Sequence, residues 1–265
     1  MNGDQESGVA VPWRDWFDRI VCFTHLPNAA RRKAMERELD RVGIFGSGIF
    51  RFECTAPDPW ERYVAEAAPR TAADDRTNMG FVNLGLATAR VLREAQWLGW
   101  RRVLFLEDDV RFLRDLSALE AAFAGTPWEW SIVQYDKFVD WEMTPERYSS
   151  IVASRRIGDT GFFDGRGMFM PSGACFAADA QGMAALLDRL ESRGPRPVDG
   201  LLGAVGVRRA VAIRNAAVQV VFGDALVRRY VGRNSHHVAY RPQGVDYSQY
   251  AVPEGYGYGV ECVEP

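Results

Sequence analysis

The chain has 265 residues, with 32 Lys and Arg against 35 Asp and Glu, for a net charge of −3. Its 47% hydrophobic and 25% charged residues match ordinary globular usage and exclude a disordered chain, a collagen-like repeat and a coiled coil. The small acidic balance argues against a broad nucleic-acid footprint, and no run approaches the roughly 18 apolar residues of a membrane span.

Residues 1–17 read as a disordered leader, since the polar, acidic start lacks the basic and apolar regions of a signal peptide. The four cysteines, Cys22, Cys54, Cys175 and Cys262, are scattered and form no C-x-x-C pair, so zinc is not expected and a reducing, cytoplasmic setting is. A first strand over 19–24 runs into His25-Leu26-Pro27-Asn28, where Asn28 caps a helix over 29–42. Met35, Leu39 and Val42 recur there at helical spacing, and Gly43 ends it. A second strand spans 50–55, followed by a long polar connection over 56–77. The next helix covers 78–98, with Leu84, Thr88, Val91, Leu92, Ala95 and Leu98 on one face and Gly99 as its stop.

The apolar run 102–106 lacks alternation, which predicts a central strand covered on both faces. It continues as an extended segment through Glu107, Asp108, Asp109 and Val110. A short helix over 115–124 and a strand over 130–135 ending at Asp136 follow. Strand–helix alternation predicts an α/β fold with a mixed, mainly parallel sheet flanked by helices. The second half differs, because 151–178 is rich in Gly, Phe and short strand-like runs. A helix over 180–192, the rigid Pro195-Arg196-Pro197 link into Val198-Asp199, a strand over 211–222 and an Arg-, Gly- and Tyr-rich tail complete the chain. One domain over 18–265 is expected, in two halves divided at residue 140.

Three carboxylates behind an apolar strand are the most informative feature. In open α/β sheets, ligands bind at the carboxyl ends of strands. Carboxylates crowded there repel one another unless a cation lies between them, and oxygen ligands suit Mg²⁺ or Mn²⁺. An extended Glu107-x-Asp109 puts both side chains on one side. The alternative is a charged strand end that meets solvent.

Leu92-Arg93-Glu94-Ala95, Gly99 and the run Arg102-Val103-Leu104-Phe105-Leu106-Glu107-Asp108-Asp109-Val110 resemble the core of glycosyltransferase family 25, which includes the lipooligosaccharide galactosyltransferases. The resemblance implies a GT-A-type fold, a nucleotide-sugar donor (most readily a UDP-sugar), Mn²⁺ or Mg²⁺, and inverting transfer to a hydroxyl acceptor in lipopolysaccharide or other surface glycan biosynthesis. A peripheral membrane contact is compatible with such an acceptor. Under the resemblance, Asp109 is the main metal ligand, Glu107 completes the metal site or faces the donor with Asp108, and Arg32 contacts the donor near Thr24 and His25. The chain departs from the family pattern at His25, which stands for Asn, and at Ala87-Thr88, which stand for Ser-His. Gly80, the strand over 130–136, the run 172–178 and Pro197-Val198-Asp199 are similar to further family segments.

Glycosyl transfer needs a base for the acceptor hydroxyl. Asp199 is the first candidate, with helix capping as its alternative role, and Asp136 is the second. In Asn234-Ser235-His236-His237, one histidine, taken as His236, is a further metal ligand or else an exposed surface residue. Arg228, Arg229 and Arg233 fold over a diphosphate or form a solvated basic stretch. The stretch 158–173 with Phe162, Phe163, Phe169 and Met170 is an acceptor loop or part of the core. Competing readings are a nucleotidyltransferase of related fold, for which an early Gly-rich loop is lacking, and a non-catalytic nucleotide-sugar-binding relative.

Overall fold

The structure, a computed structural model, describes residues 12–24, 29–55, 75–112, 116–137, 144–170, 172–195, 198–221 and 260–262. Helix α1 (Trp13–Trp16) leads into β1 (Arg19–Thr24), α2 (Ala29–Arg41), a 3₁₀ turn (Phe45–Ser47) and β2 (Phe50–Cys54). Then come α3 (Asp75–Leu98), β3 (Arg102–Glu107), β4 (Val110–Phe112), α4 (Leu116–Ala124) and β5 (Ile132–Gln134). The second half contributes α5 (Pro145–Arg155), β6 (Phe162–Asp164), β7 (Cys175–Asp179), α6 (Ala180–Arg193), α7 (Val198–Leu202), β8 (Arg209–Ala212), β9 (Ala217–Val221) and β10 (Val260–Cys262).

The main sheet has the order β2-β1-β3-β7-β5-β8-β6. Strands β2, β1 and β3 are parallel, as are β5 and β8, while β7 and β6 run against their neighbours. The expected mixed, mainly parallel sheet flanked by helices is therefore what forms. Alternate strand residues serve its two faces. Ile20, Cys22, Leu104, Leu106 and Val133 pack with Trp13, Met35, Leu39 and Phe123. Val21, Phe23, Val103, Phe105 and Ile132 pack with Val91, Leu92, Met183, Leu186 and Leu190. Such double coverage is why the central strands read as unbroken apolar runs. Gly43 and Gly99 adopt φ of 70° and 68° where α2 and α3 end, as their positions predict.

Four expectations change. The leader drawn to residue 17 is too long, because Trp13 and Phe17 are each 2% exposed and the Trp13 indole donates to Val42 O at 2.7 Å. Residues 151–155 close helix α5, whose Thr144 side chain accepts from Arg147 N, rather than forming strand-like runs. The strand over 211–222 is two strands in different sheets, β8 and β9, broken at 213–216. The chain also does not stay extended through the acidic cluster. Asp108 and Asp109 form a turn, and β4 beyond it joins a small sheet of order β10-β9-β4.

Helix α2 holds β4 in place, since Glu38 Oε1 accepts from Phe112 N at 2.8 Å and Arg41 Nη2 donates to Phe112 O at 3.3 Å. Cys22 and Cys175 are buried thiols. Among the described residues, no helix is long and apolar enough to cross a membrane.

Candidate functional site at the carboxyl edge of the sheet

Strands β1, β3 and β5 end on one edge, and the antiparallel β7 begins there. Topology thus gathers Thr24, Glu107 to Asp109, Asp136 and the segment before Cys175, which are far apart in sequence. The register ties them closely, with Glu107 N donating to Ala174 O at 2.9 Å and Tyr135 N to Cys175 O at 2.9 Å. Helix α7 brings Asp199 against the same segment. A Cβ placed on Gly173 would lie 3.3 Å from Asp199 N and 3.4 Å from Asp199 Oδ1, so the bare glycine lets that helix start close to the sheet.

The turn carboxylates are held from two directions. Thr24 Oγ1 donates to Asp108 Oδ2 at 3.0 Å. From the first turn of α2, Arg31 Nη2 lies 2.6 Å from Asp108 Oδ1 and 2.9 Å from Asp109 Oδ2. A single nitrogen therefore bridges two acids. Asp108 is 5% exposed. Arg32, the expected donor contact, instead lies 3.7 Å from Glu36 along the helix, with both side chains 40% exposed.

Desolvation holds the Glu107 carboxyl well above its ordinary range. Asp109, Asp199 and Asp136 push it the same way, and Arg31 opposes them. The edge thus concentrates negative charge around Glu107.

Asp136 is 3% exposed, and both its oxygens are engaged. Oδ2 accepts the Ser172 hydroxyl in a short hydrogen bond, and Oδ1 accepts Cys175 N at 2.8 Å. Burial nevertheless pushes its pKa up to about 7, against those two hydrogen bonds and with help from Asp199 and Asp109. Ser172 sits at φ 114°, a conformation that an L side chain rarely adopts and that costs about 1–3 kcal/mol. Next to Asp136, Lys137 is 1% exposed; burial lowers its pKa to about 7, which Asp136 partly counters. Its ammonium donates to Ile213 O at 2.7 Å and Asn215 Oδ1 at 3.1 Å.

The loop over 165–170 is fixed from behind. Arg209 Nη2 donates to Gly165 O and Met168 O, both at 2.6 Å, and Nη1 to Gln134 Oε1 at 3.1 Å. Gln134 Nε2 in turn donates to Met170 O at 3.2 Å and Ser172 O at 2.6 Å. Phe162, Phe163 and Met170 belong to the core, while Phe169 is 61% exposed. The aromatic stretch is therefore divided between packing and surface.

Of the sequence-derived candidates, the structure brings Thr24, Glu107, Asp108, Asp109, Asp136 and Asp199 to this edge. His25, His236 and Arg228 to Arg233 lie outside the described residues. Carboxylate oxygens are the donors that Mg²⁺ and Mn²⁺ take, so Glu107 and Asp109 fit such a cation by chemistry. Among the described residues, no three of His, Cys, Asp or Glu converge as a complete ligand set. Arg31, Ser172 and Lys137 were not singled out from the sequence. Arg31 had a readable signal, because it lies four residues before Met35 and eight before Leu39, on the buried stripe of α2.

No protein-family model matches the chain, and no curated protein matches it significantly. Among solved structures, it is similar to a glycosyltransferase involved in glycosylation of the major capsid of PBCV-1. The identity is 10%, over 80% of this chain and 96% of the other, with a TM-score of 0.42. Galactosyltransferase LgtC, solved with donor and acceptor sugar analogues, is 13% identical over 91% of this chain and 86% of its own, with a TM-score of 0.38. A mannose-1-phosphate geranyltransferase from Thermus thermophilus is 15% identical over 73% of this chain and 72% of its own, with a TM-score of 0.38.

Proposed function

We propose that this protein is a metal-dependent inverting glycosyltransferase of GT-A type, moving a sugar from a nucleotide-sugar donor to a hydroxyl acceptor. The observation that supports it is the convergence of Glu107, Asp109, Asp136 and Asp199 at the carboxyl edge of the sheet, where Glu107 responds to the other three. Glu107 and Asp109 would hold Mn²⁺ or Mg²⁺, with His236 as a further candidate ligand. When bound, such a cation neutralises the charge that develops on a leaving diphosphate.

Asp199 is the base. It is half-buried at the first turn of a short helix, against Gly173. Its carboxylate takes the acceptor proton as the acceptor oxygen bonds to the anomeric carbon, and the bond to the diphosphate breaks with its electron pair. Asp136 is closed to an acceptor by its burial and its two hydrogen bonds, so it positions Ser172 and the start of β7. Thr24 and Asp108 fix the turn on which Asp109 stands.

Thermal unfolding with UDP and GDP, each with and without Mn²⁺, tests this reading. One nucleotide at about 100 times its Kd should raise the midpoint by roughly 5 °C only when Mn²⁺ is present. Asp109→Ala should abolish that shift. Asp199→Asn should keep the shift and lower donor turnover about 10²–10⁴-fold. If neither nucleotide moves the midpoint under any condition, the reading fails.

A further inference from the structure

Arg31 stands where a cation would be expected to stand. Its Nη2 touches one oxygen of each turn acid, at 2.6 and 2.9 Å, with Arg31 and Asp109 side chains only 18% and 19% exposed. Its backbone belongs to the first turn of α2, directly after β1, so its reach is toward the strand ends. An anionic diphosphate approaching this edge would meet the acids of the 107–109 turn, and Arg31 is a guanidinium already seated on two of them, with its charge felt at Glu107.

We propose that Arg31 is an exchangeable counter-ion. It neutralises Asp108 and Asp109 in the ligand-free protein, gives up Asp109 when a divalent cation arrives, and then pairs with the donor's diphosphate. This rests on reading the edge as a donor site. A guanidinium suits both states, because it is permanently charged and binds carboxylate and phosphate oxygens alike. No bond is made or broken in the exchange. The exchange predicts effects of opposite sign, in that removing Arg31 strengthens metal binding in the free protein and weakens diphosphate binding in the metal-loaded one. A purely structural ion pair predicts no gain in metal affinity.

The test is calorimetric titration of the full chain with MnCl₂ alone, then with UDP and GDP at saturating Mn²⁺. Arg31→Gln should bind Mn²⁺ about tenfold more tightly than wild type, since a partly buried competing charge is worth on the order of 1.4 kcal/mol. It should bind the diphosphate at least about tenfold more weakly. Arg37→Gln, which removes the same charge from an exposed position of the same helix, should change neither. Arg31→Lys should fall between wild type and Arg31→Gln, and it serves if the glutamine variant does not fold. Unchanged or weaker Mn²⁺ binding in folded Arg31 variants overturns the proposal, as does an absence of Mn²⁺ binding in every variant. If Mn²⁺ binding tightens as expected but no nucleotide binds even to wild type, the counter-ion stands and the donor-site reading falls.

Discussion

Asp136 and Lys137 are sequence neighbours whose burial acts on them in opposite senses. The folded chain holds the Asp136 proton up to about pH 7, whereas an unfolded aspartate releases it near 3.8. Its contribution to stability is therefore full below about pH 4 and lost as pH rises to 7. Lys137 runs the other way, with its pKa lowered from 10.5 to about 7, so its contribution is full above about pH 10.5 and lost as pH falls toward 7. The pair places a dip in stability near neutrality. Asp136→Asn keeps a carbonyl for Cys175 N and removes the acidic limb of that dip. Urea unfolding from pH 4 to 9 should show the variant flatter between pH 4 and 7 and more stable at pH 7 by about 2 kcal/mol. An unchanged slope would assign the pH dependence to other groups. None of this was legible in sequence, because an Asp-Lys dipeptide after a strand reads as solvated charge until the sheet closes over it. Arg31 was legible in principle, since the stripe of Met35 and Leu39 continues backward to it. Arg32 looked favourable only because a sequence pattern pointed at that number.

At the scale of elements, the sequence reveals helices that own a clean apolar face and strands that are buried on both sides. The ends of α2 and α3 fall at Gly43 and Gly99, where left-handed glycines stop them. It does not reveal a change of sheet. The acid turn at Asp108 and Asp109 and the break at 213–216 both occur where one strand leaves the main sheet and its continuation joins another, and local propensity carries no mark of that. Nor does it show that the loop over 165–170 is held by Arg209 and Gln134 on neighbouring strands β8 and β5. Burial lowers the Arg209 pKa to about 10, so it remains charged at neutral pH while serving three acceptors. Arg209→Leu strands the Met168 carbonyl and Gln134 Oε1, leaving Gly165 O only its bond from Met168 N, and should cost about 3 kcal/mol in chemical denaturation, with Arg209→Lys recovering only part because it lacks the planar fork. A loss below about 0.5 kcal/mol would mean the loop is held by other contacts.

For the molecule as a whole, strand–helix alternation correctly predicts the layered α/β architecture, but not the strand order. Strand β7 inserts between β3 and β5 against both, and it is this insertion that carries Ser172 and Gly173 to the acid edge. The outline of the site was readable because strand-end carboxylates are a local pattern. Its assembly was not, because Asp136 and Asp199 reach it only through that crossover. The segment from Trp13 to Phe17 also belongs to the fold, since Trp13 contacts Phe17, Phe112 and Phe123 across the core. A chain starting at residue 18 should therefore lose about 3–5 kcal/mol, the scale of a buried tryptophan, as measured by equilibrium unfolding. Equal stability would show that the remaining core closes over the gap.

Helix α2 touches the 108–112 segment at both ends, through Arg31 on Asp108 and Asp109 and through Glu38 on Phe112 N. The seven residues from 31 to 38 rise about 10.5 Å along a helix, and the three steps from 109 to 112 span about 10 Å along a strand. The two spacings are matched as a ruler is to the object it measures. Many side-chain changes on either segment leave this match intact, but a one-residue insertion or deletion in one requires compensation in the other. The signature of this site is thus a pair of matched lengths as much as a set of residue identities.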